Sequence, residues 1–462
     1  MIRRLMPLAA LLASACMTAP APPPTIAPPA TMGPFAGLQT ASIAPVPDDW
    51  WRLYDDPVLD RLVKASLAAN ADLRVAFANL DGARAALSQA RALRLPQTTI
   101  ESGLTVDGTA SQPSASSNVP TTDYDLAITG SWDADLFGRL RSGALAARAD
   151  ADASAAALDG VRVAVAADTV LAYVDLCGAT QAAAVSRSII AAQAHAVELV
   201  RDQLGAGEVS PLEVSQAATL LSSAQATLPP FEAARANALY RLATLQGLAP
   251  ATARDWRIDC AQVPVLSGRL PVGDGAALLL RRPDIREAER RLAAAAARIG
   301  VARADLYPRL NLGGAVGLLT GGLVATASPL VSWAFPNQAP ARARLEQARA
   351  TERTALASWD VAVLRALREV ESALIAQDAE ARRNRALVEA ELQAEAYARR
   401  AASRVRLGDA VPLLRIDAER AFASAQLQRA QSDLLRAQGQ VALFRALGGG
   451  WQQPPNTLRS TP

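Results

Sequence analysis

Hydrophobic positions along this chain follow two periods. Just after Pro96 they alternate: Ile100, Ser102, Leu104 and Val106 fall on one side, and Thr99, Glu101, Thr105 and Asp107 on the other. A returning stretch sets Tyr124, Leu126, Ile128 and Trp132 against Asp123, Asp125, Thr129, Ser131 and Asp133. Period two predicts strands. One apolar and one polar face, with aromatics near the ends, suits a membrane barrel strand with lipid outside and water inside; a half-exposed soluble hairpin would show the same alternation. Leu310, Leu312, Val316 and Leu318 repeat the pattern, and Val331, Trp333 and Phe335 suggest a fourth strand. Four strands cannot close a barrel. Open edges are forbidden in lipid, so several chains must contribute to one sheet.

The second period is helical. From about Leu140 to Gln203 and from about Arg342 to Leu407 there is no proline and hardly a turn signal. Some 65 residues at ~1.5 Å each span about 100 Å, a length suited to crossing a periplasm. Val163, Val170, Val174 and Cys177, and likewise Val363, Leu367, Val370 and Leu374, are spaced as a coiled-coil seam. Each long helix ends in a turn, Leu204-Gly205-Ala206-Gly207-Glu208-Val209-Ser210-Pro211 or Leu407-Gly408-Asp409-Ala410-Val411-Pro412, and a partner of about 35 residues follows. Glycine after a helix end and proline opening the next are the expected punctuation, with Ser210 as N-cap.

The two halves repeat one another. A shift of 212 residues lays Asp72-Leu73-Arg74 on Asp284-Ile285-Arg286, Leu80 on Leu292, Ala90-Arg91-Ala92 on Ala302-Arg303-Ala304 and Pro96 on Pro308. Farther on, near a shift of 200, Val161, Val163 and Val170 fall on Val361, Val363 and Val370, and Leu204-Gly205 resembles Leu407-Gly408. The chain therefore divides into a signal peptide (1–15), a Pro-rich tether (16–47), a first repeat (48–250; strand pair about 98–133, hairpin about 140–247), a linker (251–275), a second repeat (276–451; strand pair about 309–335, hairpin about 341–447) and a tail (452–462).

Composition narrows the compartment. Arg3 and Arg4, the apolar run Leu5 to Leu12, small residues and then Cys16 read as an exported lipoprotein signal with Cys16 acylated; an ordinary signal peptide with an incidental cysteine is the alternative. No run approaches the ~20 apolar residues of a membrane-spanning helix. Cys177 and Cys260 then remain as an even pair in an oxidising compartment, either bridged or two unrelated buried thiols. Net charge is +3 with signs interspersed, which argues against nucleic-acid binding. Enzyme motifs fail as well. His195 is the sole histidine, and neither a Gly-x-Ser-x-Gly elbow nor a phosphate-binding Gly-x-x-x-x-Gly-Lys loop occurs, so neither catalysis nor a metal or other cofactor is expected.

The run RRPDIREAERRLAAAAARIG from Arg281 to Gly300, continuing to Tyr307-Pro308, closely resembles the signature of TolC-like outer-membrane factors, in particular the NodT-type efflux outer-membrane lipoprotein branch. Trp50-Trp51 with Asp56-Pro57, Leu136-Phe137-Gly138-Arg139, and Ala446-Leu447-Gly448-Gly449-Gly450-Trp451 extend the resemblance over nearly the whole chain. It implies a mainly α fold with a membrane β-barrel portion. Three chains would close a twelve-stranded β-barrel and an α-helical barrel, lipid-anchored in the bacterial outer membrane. It also implies a passive exit duct for drugs or other small molecules, a periplasmic adaptor (membrane fusion protein), and an inner-membrane pump, commonly of the resistance-nodulation-division type. Carried onto this chain, the tip gate or adaptor contact falls on Leu204, Gly205, Gly207, Glu208, Leu407, Gly408 and Asp409, with Glu208 or Asp409 as an acidic ring. The alternatives are a periplasmic adaptor lipoprotein, which would carry one hairpin rather than two, and a duct that exports proteins. The Phe335 to Pro340 segment departs from the pattern and the preceding Leu319 to Pro329 stretch is short, which suggests that the second strand pair is truncated or remodelled and leaves its extracellular loop open.

Overall fold

The computed structural model describes residues 41–42, 44–107, 121–266, 270–273, 281–319 and 322–449. The signal peptide, Cys16, most of the tether and the C-terminal tail lie outside these residues. Element order is β1 (Ala41–Ser42), α1 (Pro57–Ala69), α2 (Ala71–Ala92), β2 (Gln97–Asp107), β3 (Thr121–Asp133), α3 (Arg139–Gly205), α4 (Pro211–Leu245), β4 (Leu270–Pro271), α5 (Pro283–Ala304), β5 (Arg309–Leu319), β6 (Gly322–Ser332), α6 (Ala339–Arg406) and α7 (Pro412–Ala446). The chain is mainly helical with one four-stranded antiparallel sheet, and β1 and β4 form a short parallel pair.

Two compact units arise. The first gathers Ala78–Ala156 and Arg286–Ala362; the second holds the described parts of Pro28–Phe77, Ala157–Ile285 and Val363–Pro462. In the first, the sheet hands over to α3 through a polar corner. Asp135 accepts hydrogen bonds from the backbone N–H groups of Leu140 and Arg141, each at 2.8 Å, while Arg139 pairs with Asp133 at 2.6 Å. An acidic residue at a helix N-terminus satisfies otherwise orphaned donors and meets the positive end of the helix dipole. Gly138, at φ +74°, makes the turn that brings this about. Phe137 stacks on Tyr307 with ring centroids 4.7 Å apart, and Gly300 sits so close to α3 that a Cβ there would lie 2.6 Å from Ser142 Oγ.

In the second unit the seam residues are the core. Val163, Val170, Val174 and Cys177 of α3 and Val363, Val370 and Leu374 of α6 are all buried. Of these, Val170, Val174, Cys177, Val370 and Leu374 pack with Leu59, Val63, Val441 and Phe444, and Trp50 stacks on Phe444 at 4.7 Å. Asp56 caps α1 through the backbone N–H groups of Val58 and Leu59 and accepts a 2.5 Å hydrogen bond from the Tyr173 hydroxyl.

Both repeats close on themselves in the same way. Asn70 donates to the carbonyl of Leu245, at the end of α4, while its side-chain oxygen caps α2 through Asp72 and Leu73. Arg282, at the equivalent position 212 residues on, donates to the carbonyl of Ala446 at the end of α7 (2.8 Å). Left-handed glycines follow both helices, Gly247 at φ +70° and Gly448 at φ +67°, and press on Ala69 and Arg282 respectively.

Two features depart from the sequence reading, while α4 keeps the expected 35 residues against local propensity. One 18-residue window of α3 is apolar enough to cross a membrane, but 72% of it is buried within the protein, so it is core rather than span. α4 runs unbroken through Pro229 and Pro230, although a proline pair removes two helix donors. The second strand pair is not shortened: β5 and β6 hold eleven paired positions, as many as β2 and β3, and β6 ends at Ser332. Trp333 and Phe335 lie beyond it, their rings stacked 4.8 Å apart.

Candidate functional site: a two-faced sheet and two helical tips

Strand order is β2-β3-β5-β6, which leaves the outer edges of β2 and β6 without a partner strand among the described residues. Register decides what each face carries. Ile100 lies opposite Ile128, which lies opposite Val316, which lies opposite Ala325. The same face therefore gathers Ile100, Leu104, Leu126, Ile128, Trp132, Leu312, Val316, Leu318, Leu323 and Val331, every one exposed. The opposite face carries Thr99, Glu101, Ala127, Thr129, Ser131, Gly313, Ala315, Gly317, Thr326 and Ser328, with Val324 and Leu330 as its large apolar members on β6. β6 is exposed along its whole length. An apolar field of that size standing in the open marks a membrane or partner surface. Eleven residues at ~3.3 Å, tilted by about 45°, reach roughly 25 Å, the height of a hydrocarbon band. Trp132 and Trp333, near one end of the strands, donate their indole N–H groups to the carbonyls of Arg94 and Leu306. That leaves their rings in the posture of an interfacial girdle.

The tips in the second unit are built by identical backbone turns. At the first, Glu208 N–H reaches back to Gln203 O at 2.9 Å and Gly207 N–H to Leu204 O at 3.0 Å, with Gly207 at φ +75°. At the second, Asp409 N–H reaches Arg404 O at 2.9 Å and Gly408 N–H reaches Val405 O at 3.0 Å, with Gly408 at φ +74°. Paired bonds of this kind close a helix around a left-handed residue, a conformation glycine adopts without steric cost. The equivalence is thus Gly207 with Gly408, and Glu208 with Asp409. Leu204 and Gly205, expected to match Leu407 and Gly408, instead finish α3. The one extra residue of α6, 68 against 67 in α3, carries the shift between the repeats from 200 at the helix starts to 201 at the turns, whereas pairing Leu204-Gly205 with Leu407-Gly408 lies two residues out of step.

Polar chemistry differs between the tips. Ser210 and Glu213 form a reciprocal capping box on α4, and the hydrogen bond from Ser210 holds the Glu213 carboxyl below its usual range. Asp409 is held by Arg404, whose Nε lies 2.9 Å from Asp409 Oδ2. Apolar side chains protrude at both: Leu212 is 64% exposed, Leu407 81% and Val411 67%. Between the hairpins, Ile416 of α7 packs with Val197, Val200 and Ala217 of the first. Arg404, a partner for Asp409 five residues earlier on an arginine-rich helix, carries no sequence signal that separates it from its neighbours.

Cys177 and Cys260 are joined as a disulfide, their Cα atoms 5.2 Å apart. No group of metal-ligating side chains forms among the described residues.

The sequence profile of the outer membrane efflux protein family matches residues 62–248 and 276–449. The chain is 31% identical over 425 residues to the solvent efflux pump outer membrane protein SrpC of Pseudomonas putida, covering 87% of each. It is 28% identical over 417 residues to nodulation protein T of Rhizobium leguminosarum bv. trifolii, covering 87% of this chain and 88% of the relative. Among solved structures, the outer-membrane channel OprN superposes with a TM-score of 0.86 at 34% identity, over 93% of this chain and 99% of that one.

Proposed function

The chain belongs to the outer membrane efflux protein family, and on that premise we propose that three copies join the free edges of their sheets into one twelve-stranded barrel whose polar face lines the passage. The protein is an outer-membrane channel of a tripartite efflux system, a passive conduit for drugs or other small molecules, and it works with a periplasmic adaptor and an inner-membrane pump. The two-faced sheet with both edges open carries this reading, because such a sheet is tolerable in lipid only when neighbouring chains close it. The pump is of the resistance-nodulation-division type, and Cys16 bears the lipid that anchors the chain. An adaptor of the lipidated hairpin type is disfavoured by the paired hairpins and the exposed apolar sheet. Purified protein in a planar bilayer is expected to give discrete ohmic steps and to run as a heat-dissociable trimer in detergent. A conductance-free monomer would overturn the reading.

The tips are the gate and the adaptor contact. Leu204 and Gly205 end the first helix behind the turn that presents Gly207 and Glu208, and Leu407, Gly408 and Asp409 form the second turn. Since Arg404 offsets Asp409, Glu208 is the stronger candidate for an acidic ring. Leu407 supplies the most exposed apolar side chain of either tip. Desolvating such a residue in a docking site is worth about 1–2 kcal/mol. Leu407→Asp is therefore expected to weaken adaptor-dependent drug export about tenfold while single-channel conductance stays unchanged. Export at the unsubstituted level would remove Leu407 from the contact.

A further inference from the structure

Between Trp256 and Leu266 the chain joining the two repeats has no regular structure, yet it is fastened to both hairpins. Cys260 is bonded to Cys177 of α3. Three residues on, Val263 N–H donates to Gln181 Oε1, also on α3, at 3.2 Å. At Leu266 the strap changes partner: its N–H donates to Gln440 Oε1 of α7 at 3.0 Å, and its carbonyl accepts from Gln440 Nε2 at 3.1 Å. α3 belongs to the first hairpin and α7 to the second. One segment thus crosses both, covalently at one end and through a two-bond amide clasp at the other. Cys177, Cys260, Leu266 and Gln440 are all buried, and Ile258, Val263 and Val265 pack on the core that Val174, Leu374 and Val441 share. Six residue steps separate the two fastenings, so even a fully extended strap spans only about 20 Å.

We infer that this strap is a redox-set clamp that fixes α3 against α7 and so limits how far the two hairpins of one chain can slide apart. The inference rests on the duct reading for its functional readout alone. Closing the clamp transfers two electrons and two protons from the Cys177 and Cys260 thiols to the disulfide of a periplasmic thiol oxidase, which leaves as a dithiol. An external dithiol reverses the exchange and regenerates both thiols. With the bond open, the two-bond clasp to Gln440 keeps the strap on the second hairpin, and the first hairpin is held only by the single hydrogen bond from Val263 to Gln181, weak enough to open locally. The hairpins then sample a wider range of separations, and the conducting state gains population.

Two measurements on the full-length trimer test this. In planar bilayers, C177A/C260A, and separately the unsubstituted protein reduced with dithiothreitol and alkylated, are expected to occupy the conducting state at least about threefold more than the oxidised protein. Trypsin cleavage after Arg257, exposed on the strap, is expected to accelerate at least about tenfold in both, because proteolysis tracks the locally opened population. The reduced protein serves as a second arm should the double substitution misfold. Equal conducting occupancy, or equal cleavage, in oxidised and reduced protein overturns the clamp. Absence of conductance in every form refutes the duct reading instead, and the cleavage rates alone then decide the clamp.

Discussion

Arg282→Met is expected to destabilise the detergent-solubilised protein toward urea by about 2–3 kcal/mol. The guanidinium is 9% exposed and engages three acceptors: Asp284 at 2.7 Å, Glu369 at 2.7 Å and the Ala446 carbonyl at 2.8 Å. Burial alone would lower its pKa, but hydrogen bonds and charge from Asp284 and Glu369 outweigh that and raise it above its ordinary value. Removing one partner of a fully buried pair costs about 3–5 kcal/mol. Here both carboxylates are about two-fifths exposed, so water recovers part of the loss. Asn70→Ala is the control at the matching position of the first repeat; it removes a cap and one carbonyl partner without stranding a charge, and about 1 kcal/mol is expected. Equal losses at the two positions would mean that the ion triad adds nothing to the closure of the second repeat.

Ile128→Arg abolishes recovery of the folded trimer from the outer membrane, whereas Thr129→Arg is recovered and conducts. The two residues are neighbours on β3, and the pleat sends them to opposite faces. Arginine at mid-height on the lipid face costs about 2–4 kcal/mol per chain, and a trimer bears it three times. On the other face the same side chain meets water. Its added charge is expected to shift ion preference toward anions, read as a change in reversal potential under a salt gradient. Similar recovery of both variants would show that Ile128 does not meet lipid.

Much of the fold was legible because its two periods are long and uninterrupted. Ile100 to Val106 and Leu126 to Trp132 show the sheet face directly, and the proline-free stretches reveal α3 and α6. β6 was less visible for a physical reason. Its apolar face reads Leu323, Ala325, Ala327, Pro329, Val331, and the small residues and the proline interrupt the run of large apolar positions that marks a strand. The partner of about 35 residues was legible in α4 even though Pro229 and Pro230 lie inside it, where tertiary burial, through Ala224, Ala238 and Leu239, holds the helix on either side. The closure of the repeats was hidden because asparagine serves in one copy and arginine in the other; no residue identity links positions 70 and 282, although the carbonyl each one grips is equivalent. The tips were located correctly as turns but matched out of step, because identical Leu-Gly pairs are a weaker guide than the left-handed glycine each turn requires.

The two ladders are equal in length, but the connections between their strands are not. Residues 108–120 join β2 to β3, while only residues 320–321 join β5 to β6. Around the proposed barrel, connections of thirteen and two residues therefore alternate. In the proposed trimer the sixfold pseudo-symmetry of the doubled chain is thereby reduced to threefold.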